Sequence, residues 1–321
     1  MKVRARAASS TLPLLLLAPA FAVAEFPEKP IRVIIPFSAG GGTDVHLRLM
    51  QDKLDAALGT NIVIENRGGA GGTIGCGIAS QAAPDGYTLL VTSASYTFAP
   101  NFYKNLQYDP VKSFDGITNL AQAPLVLGVH PSVPAKSTKE LVELAKKNPG
   151  KLNYASAGIG SNIFMSTELF NYMAGIKMTQ IAYKGGGPAT IGLVAGEADV
   201  IITALTSAVP NIQQGRMRGL AVTTKERSFV LPDVPTVDES GVPGYDKASW
   251  YGMYAPAGVP REIRNKIHAA VAKVLRDPVV VKRLKDQGSV AVGNPQDEFN
   301  AFVHAELKEW GELIKKMNIK I

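Results

Sequence analysis

Two glycine-rich loops place hydroxyl groups and unhindered backbone amides at the predicted starts of two helices. Residues 31–45 read IRVIIPFSAGGGTDV, an apolar strand followed by a loop, and residues 152–162 repeat the pattern as LNYASAGIGSN. The first amides of a helix lack intrahelical partners and the helix dipole is positive there, so each loop favours a bound anion. Two such loops far apart in sequence predict a cleft that holds one acidic ligand from both sides.

The first loop has the residue types that such a site requires. Its glycines let the backbone approach a ligand closely, Thr43 can donate its hydroxyl, and Asp44 can cap the helix or hold a bridging water. Taken alone, an ordinary strand-to-helix turn explains the same residues. The segment has neither the Gly-Lys-Ser/Thr of a P-loop nor the G-x-G-x-x-G of a dinucleotide site. The loop therefore predicts an anion site of another kind.

Other polar or glycine-rich positions also follow predicted strands. Residues 184–188 read KGGGP and include Gly185, Ser93 ends one predicted strand, and Thr203 ends another. Because the carboxyl ends of parallel strands border the crevice of an open sheet, these positions are candidate ligand contacts together with the two loops.

The sequence offers little for catalysis. It has no G-x-S-x-G motif and no Cys/His cluster with metal-ligand spacing, and its single cysteine, Cys76, is predicted to pack in the core. Asp44 and Glu168 could form the two-carboxylate site of a secreted hydrolase or isomerase. The favoured interpretation of Glu168 is a carboxylate on a helix surface or at a hinge. We therefore predict a protein that is not an enzyme and that uses neither a metal ion nor a cofactor.

Strand-like and helix-like segments alternate through the chain, which is typical of an α/β fold with a mostly parallel sheet. The segments that read as strands are 31–36, 62–65, 87–92, 125–130, 179–183, 199–203, 220–223 and 249–255. The segments that read as helices are 44–58, 74–82, 138–148, 163–173, 189–195, 261–275, 278–287 and 296–317.

The order of these segments predicts two domains. The two loop-bearing blocks separate near residue 124, and the C-terminal helices have no sheet of their own. We predict a discontinuous first domain of residues 25–124 and 248–321, and a second domain of residues 125–247. Two crossings of the chain between domains make a hinge, and small ligands usually bind in the cleft that a hinge borders.

The first 24 residues have the features of a secretory signal peptide. Lys2, Arg4 and Arg6 precede an apolar run too short to span a bilayer, and residues 22–24 read AVA, which fits a cleavage site. We predict cleavage near Ala24 and a protein that works outside the cytoplasm. The formal net charge is +7, and the chain shows no basic clusters interleaved with aromatic residues, which argues against nucleic-acid binding.

A series of further segments runs in order along nearly the whole chain after the leader. They include FPEKPIRVIIPFSAGGGTD, IVIENRGGAGGTIG, PDGYTLLVTS, YKGGGPA, GEADV and SWYGMYAPAGVP. Together they resemble the Bug (TctC-like) family, the periplasmic substrate-binding proteins of tripartite tricarboxylate transporters. The resemblance implies a type II periplasmic-binding-protein fold whose two α/β domains close around a small carboxylate. It also implies a periplasmic monomer that delivers this ligand to a membrane permease. A sensor subunit that presents the ligand to a membrane kinase would share these features.

The resemblance also implies which residues bind the ligand. In this family the carboxylate is held largely by backbone amides and hydroxyl groups of the two loops, with ordered waters bridging to the first. Carried onto this chain, with Gly185 added from the third loop, the contacts are Phe37, Ala39, Gly40, Gly41, Gly42, Thr43, Asp44, Ser93, Gly158, Gly160, Ser161 and Gly185.

This chain departs from the family pattern where the far end of the ligand is expected. Family members commonly have a histidine where this chain has Phe164, and often an acidic or amide residue where it has Thr203. Both changes predict a less polar distal pocket. They favour a monocarboxylate or an aromatic acid over citrate or an amino acid as the ligand.

Overall fold

The structure is a computed structural model that describes residues 26–319, and the predicted signal peptide of residues 1–24 lies outside them. The strands, in chain order, are β1 (Ile31–Ile35), β2 (Ile62–Asn66), β3 (Thr88–Ser93), β4 (Phe114–Val129), β5 (Asn153–Ser156), β6 (Thr179–Ala182), β7 (Val200–Ala204), β8 (Arg218–Val222), β9 (Ala248–Pro256) and β10 (Val290–Ala291).

The helices fall close to the predicted segments. In chain order they are α1 (Gly42–Leu58), α2 (Thr73–Ser80), α3 (Ser95–Phe98), α4 (Thr138–Lys147), α5 (Asn162–Ala174), α6 (Gly186–Val194), α7 (Leu205–Gln213), α8 (Arg261–Val274), α9 (Pro278–Asp286) and α10 (Gln296–Met317). Helices α3 and α7 were not predicted. Helix α7 contains Pro210 and several polar residues, but it buries Leu205 and Ala208, so packing rather than propensity makes it helical.

The strands form two α/β domains joined through β4 and β9. The order along the sheet is β2-β1-β3-β9-β4-β7-β5-β6, and both β8 and β10 also pair with β4. The part of β4 that ends at Pro124 pairs with β9, and the part that begins at Leu125 pairs with β7. We call the portion with β1, β2, β3 and β9 the first domain and the portion with β5–β8 the second domain. The domain boundaries at residues 124 and 247 stay a prediction.

The centre of the sheet differs from the mostly parallel arrangement that the sequence suggested. The outer pairs, β1 with β2 and β3, and β5 with β6 and β7, are parallel. Strands β4 and β9 are antiparallel to each other and to their other neighbours. The reason is geometric, because the chain passes between the domains in opposite directions along these two strands.

Strand β4 is much longer than the predicted segment of residues 125–130. Its first part is polar and irregular in sequence, so the local pattern did not indicate a strand there. The register with β9 shifts between Gly116 and Thr118 and again between Asn119 and Ala121, so bulges absorb the irregularity. The side chain of Asn294 bonds Thr118 and the backbone amide of Asn119. Hydrogen bonds from a residue distant in sequence therefore stabilise a strand that the local sequence pattern does not indicate.

The C-terminal helices cover the first domain. Helices α8 and α9 pack on α1, and α10 packs on β4 and α3. Beside the crossing into β9, the ammonium of Lys247 is buried over the rings of Phe98 and Trp310, and it lies 3.6 Å from the Glu306 carboxylate. This contact fixes α10 at the hinge.

Cys76 is buried as predicted, and burial raises the pKa of its thiol to about 12. Within residues 26–319, none of the helices is both long and apolar enough to cross a lipid bilayer.

Candidate ligand-binding site

A cavity lies between the two domains, and both glycine-rich loops reach it. The centre of a water-sized sphere could move through about 40 Å³ of it. The lining residues are all uncharged and come from both domains: Phe37, Gly41, Gly42, Thr43, Ser93, Ser95, Leu125, Ala157, Ser161, Asn162, Ile163, Gly186, Thr203, Ala204 and Tyr251.

Four helices of the described chain begin at this cavity. The first residues of α1, α5 and α6 line it, as does Ala204, which immediately precedes α7. Gly41 precedes α1 with no side chain to cap that helix. The cavity therefore offers helix N-termini, whose amides and dipoles stabilise negative charge, in place of a lysine or arginine.

Hydroxyl groups supplement these amides. Ser161 caps α5, its oxygen accepting from the amide of Phe164 at 3.2 Å, so its own O–H can donate to a ligand. Across the cleft, the Ser95 oxygen accepts from the Asn162 amide at 2.8 Å and lies 2.9 Å from the hydroxyl of Ser93. Both domains thus contribute hydroxyl groups at the start of α5.

Two buried polar atoms at the cavity have no hydrogen-bond partner within residues 26–319. They are Oγ1 of Thr203, a fully buried residue, and Oδ1 of Asn162, whose amide nitrogen donates to Ser249 at 2.8 Å. A buried polar group without a partner costs about 1–3 kcal/mol. Two such atoms on the wall of one cavity indicate where a polar ligand group fits.

Asp44 stabilises the first loop from behind. Its carboxylate accepts from the amide of Gly40, from Arg48 Nε and from Asn66 Nδ2, at 3.0–3.1 Å. Burial opposes its ionisation most strongly, but the hydrogen bonds from Arg48, Gly40 and Asn66 together lower the pKa of Asp44. The ionised Asp44 therefore ties the loop to α1 and β2.

Tyr251 and His46 form the wall behind Gly42. Their rings stack with centroids 3.9 Å apart, and the His46 ring contacts the Gly42 carbonyl at 2.6 Å and the Ser289 hydroxyl at 2.7 Å. Burial lowers the pKa of His46 to about 4, although the Gly42 hydrogen bond opposes this. The neutral ring donates from Nδ1 to Gly42 and accepts from Ser289.

The structure brings half of the predicted site residues to the cavity wall. Those that line it are Phe37, Gly41, Gly42, Thr43, Ser93, Ser161 and Thr203. Those that do not are Ala39, Gly40, Asp44, Gly158, Gly160, Phe164 and Gly185. The ligand contacts of all these residues stay a prediction.

Several residues of the second set join the two domains instead. Gly158 packs against the backbone of Gly71, and Gly160 against that of Ala99. Gly185 lies beside Ser38, whose backbone amide donates to the Lys184 carbonyl at 3.2 Å. Close glycine backbones thus allow the domains to meet at the rim of the cleft.

Phe164 faces away from the cleft cavity. Its ring packs edge-on against Phe102, with centroids 5.4 Å apart, and it lines a different cavity. The neighbouring Ile163 takes the place at the cleft that the sequence comparison had given to Phe164. The reason is the helical turn, because successive residues of α5 point in different directions.

Other lining residues leave weaker signals in the sequence. Asn162 directly follows Ser161 and begins α5, so its position at a helix start was an available signal. Tyr251 lies in an aromatic strand, where packing at the hinge explains its ring as well as a place in the cleft does. Leu125, Ala157 and Ala204 give no local signal, because apolar residues are equally common in the core.

The proposed carboxylate pair is not assembled. Asp44 lies behind the first loop, whereas Glu168 accepts from Tyr154 at 2.6 Å and from Asn171 at 3.3 Å and lines the cavity that holds Phe164. Within residues 26–319, no group of three or more acidic, histidine or cysteine residues is arranged to hold a metal ion.

Two α/β domains, a hinge and an uncharged cavity at converging helix N-termini define a solute-binding protein with the type II periplasmic-binding-protein fold. Residues 46–319 match the family described as "Tripartite tricarboxylate transporter family receptor", TctC. The chain belongs to this Bug (TctC) family of receptors, as predicted. Because the family consists of receptors, the prediction of a non-enzymatic protein is also confirmed.

Solved structures have the same fold. The periplasmic binding protein BugD is 35% identical with a TM-score of 0.89, covering 92% of this chain and 99% of its own. Rpa4515 of Rhodopseudomonas palustris, solved with adipate, is 32% identical with a TM-score of 0.88, covering 92% and 99%. MatC (Rpa3494) of the same organism, with bound malate, is 33% identical with a TM-score of 0.86, covering 90% and 100%.

Proposed function

We propose that this protein is exported to the periplasm as a monomer, captures a small carboxylate between its domains, and delivers it to the membrane permease of a tripartite tricarboxylate transporter. The observation that carries the proposal is the convergence of four helix N-termini on one uncharged cavity. Fixed amides and hydroxyl groups stabilise a carboxylate without a cationic side chain. The adipate and malate bound to two relatives support this ligand class.

The cavity wall favours a ligand with a weakly polar body. Phe37, Leu125, Ile163 and Tyr251 supply apolar surface, and no lining residue is positively charged. Away from the helix N-termini, this apolar surface offers few hydrogen-bond donors to a second or third carboxylate. We propose a monocarboxylate or an aromatic acid as the preferred ligand, bound with its carboxylate toward the hydroxyl groups of Thr43, Ser161 and Thr203.

Calorimetric titration with butanoate, benzoate, adipate, malate and citrate tests this preference. We expect butanoate or benzoate to bind more tightly than citrate. Tight binding of citrate, with no response to the apolar acids, would contradict the proposed ligand class while leaving carboxylate capture intact. Recovery of intact acid by mass spectrometry after incubation distinguishes capture from hydrolysis or isomerisation.

Replacing Thr203→Val tests whether the cleft cavity is the binding site. The substitution removes a buried hydroxyl without a partner and nearly preserves shape. If this hydroxyl donates to the ligand, affinity falls by about 1.5–3 kcal/mol, roughly 10- to 150-fold. Thr138→Val is the matched control, because Thr138 Oγ1 is equally buried and without a partner within residues 26–319, but lies at the start of α4.

Delivery to a permease is tested by uptake of the labelled acid into cells that lack this protein. Transport restored by the wild type, and not by Thr203→Val, supports delivery. Undiminished uptake without the protein argues against it and favours a sensor subunit.

A further inference from the structure

A second cavity lies away from the interdomain cleft, between α5, β6 and the C-terminal end of α10. The centre of a water-sized sphere could move through about 400 Å³ of it. This volume is within the size range of small-molecule pockets. Phe164, Met178, Met317 and Ile319 supply apolar wall. One side of the cavity is thus formed by the second domain. The other side is formed by the C-terminal end of α10, the helix that covers the first domain.

A carboxylate whose donors within residues 26–319 are both neutral forms part of this wall. Glu168 Oε1 accepts from the Tyr154 hydroxyl at 2.6 Å and from Asn171 Nδ2 at 3.3 Å. Burial raises the pKa of Glu168, although both hydrogen bonds oppose the shift. A cation beside the carboxylate would offset the cost of its burial.

Asn171 adds an independent indication of a ligand. The residue is only 6% exposed, it lines the cavity, and its Oδ1 has no hydrogen-bond partner within residues 26–319. Because Nδ2 donates to Glu168, the remaining amide atom is an acceptor. The carboxylate and this oxygen are therefore two acceptors that a donor-rich group could satisfy.

We propose that this cavity is a binding site for a primary alkylammonium ion. An ammonium group carries three donors and a positive charge, which suits Glu168 together with Asn171 Oδ1. A short alkyl chain would pack against Phe164, Met178 and Met317, whose apolar and thioether groups adapt to flexible chains. Lys177 lines the same cavity but is exposed, so its like charge reduces affinity without closing the site.

Titration of the full mature protein with hexylammonium chloride, followed by calorimetry and by NMR of the Asn171 side-chain amide, tests the proposal. We expect saturable binding that perturbs this amide, and no comparable binding of 1-hexanol. Glu168→Gln should weaken hexylammonium at least tenfold. Glu197→Gln is the matched control, because Glu197 also accepts from a tyrosine, Tyr183 at 2.8 Å, outside this cavity. The Glu197→Gln variant should bind hexylammonium with the affinity of the wild type.

Further variants keep the test decisive. Asn171→Leu should also weaken hexylammonium, and carboxylate binding in the cleft reports that each variant is folded. Lys177→Met should strengthen binding by removing like charge. Equal binding of 1-hexanol, unchanged affinity in Glu168→Gln, or weaker binding in Lys177→Met would overturn the proposal.

Discussion

Ser161 connects the stability of α5 to the cleft cavity. It caps the helix through the Phe164 amide at 3.2 Å and also lines the cavity. Ser137 caps α4 in the same way, through the Glu140 amide at 3.2 Å, but does not line the cavity. The two serines therefore separate a capping role from a binding role.

We expect Ser161→Ala and Ser137→Ala each to lower the free energy of unfolding by about 1 kcal/mol, the usual contribution of such a cap. Only Ser161→Ala should also weaken the bound acid, by about tenfold, because it removes a hydroxyl donor from the cavity. Urea denaturation and calorimetric titration measure the two effects. Equal ligand affinity in both variants would argue against a binding role for Ser161.

His46 makes stability depend on pH. Its pKa is about 4 in the folded protein and about 6.5 when exposed, so the unfolded chain binds a proton that the folded chain does not between these values. Stability contributed by the neutral ring is present above pH 6.5 and is lost as the pH falls toward 4. The expected loss between pH 7.5 and 5 is about 2 kcal/mol.

The measurement is the free energy of unfolding of wild type and His46→Gln at both pH values. Carboxyl groups titrate in both proteins, so the difference between the two pH dependences isolates His46. An equally steep dependence in His46→Gln would contradict the assignment.

At the scale of elements, the start of α1 is shaped by the ring behind it. A Cβ on Gly42 would lie 2.5 Å from the Tyr251 hydroxyl and 2.9 Å from the Ala204 Cβ. Tyr251 is buried and stacked on His46, so it has little room to move aside. Glycine is therefore required where α1, β7 and β9 meet at the cavity.

Gly42→Ala should lower the free energy of unfolding by about 1–3 kcal/mol through overpacking, and should weaken the acid ligand at least tenfold. Gly311→Ala is the control, because Gly311 lies inside α10 and a Cβ there would be 3.5 Å from its nearest neighbour, Asn101 Oδ1. This distance is an ordinary van der Waals contact. That variant should be neutral or more stable, since alanine favours a helix interior. Denaturation and titration check both. Wild-type affinity in Gly42→Ala would show that α1 does not contact the ligand.

At the scale of the whole molecule, the structure shows the cleft bridged by direct contacts. Ser38 donates to the Lys184 carbonyl at 3.2 Å, and the Tyr103 hydroxyl donates to the Ile159 carbonyl at 3.1 Å. The first contact joins the first glycine-rich loop to the loop at Lys184, and the second joins the second glycine-rich loop to the segment that follows α3. We expect these contacts to open for ligand entry by bending at β4 and β9, where the chain passes between the domains.

We expect the acid ligand to reduce the radius of gyration in small-angle scattering. A Ser38→Cys/Gly185→Cys variant should trap the closed form when oxidised, because a Cβ on Gly185 would lie 3.2 Å from that of Ser38. The same Cβ would lie 2.8 Å from the Ser38 backbone nitrogen, so the loop at Gly185 must shift before the disulfide forms. The oxidised variant should show the compact radius with or without ligand. Ser38→Cys alone should behave as wild type. An unchanged radius on binding a confirmed ligand would contradict closure.

The sequence by itself determined the two glycine-rich loops at helix starts, most helix bounds, the family and the two-domain architecture. It did so because glycine loops, capping residues and apolar periodicity act over a few residues and leave a local pattern. Only the tertiary structure decided which residues meet. The turn of α5 directs Ile163 rather than Phe164 to the cleft, hydrogen bonds direct Asp44 behind its loop, and β4 extends because β9 and Asn294 pair with a polar segment. These outcomes depend on contacts between residues distant in sequence, which no local pattern contains.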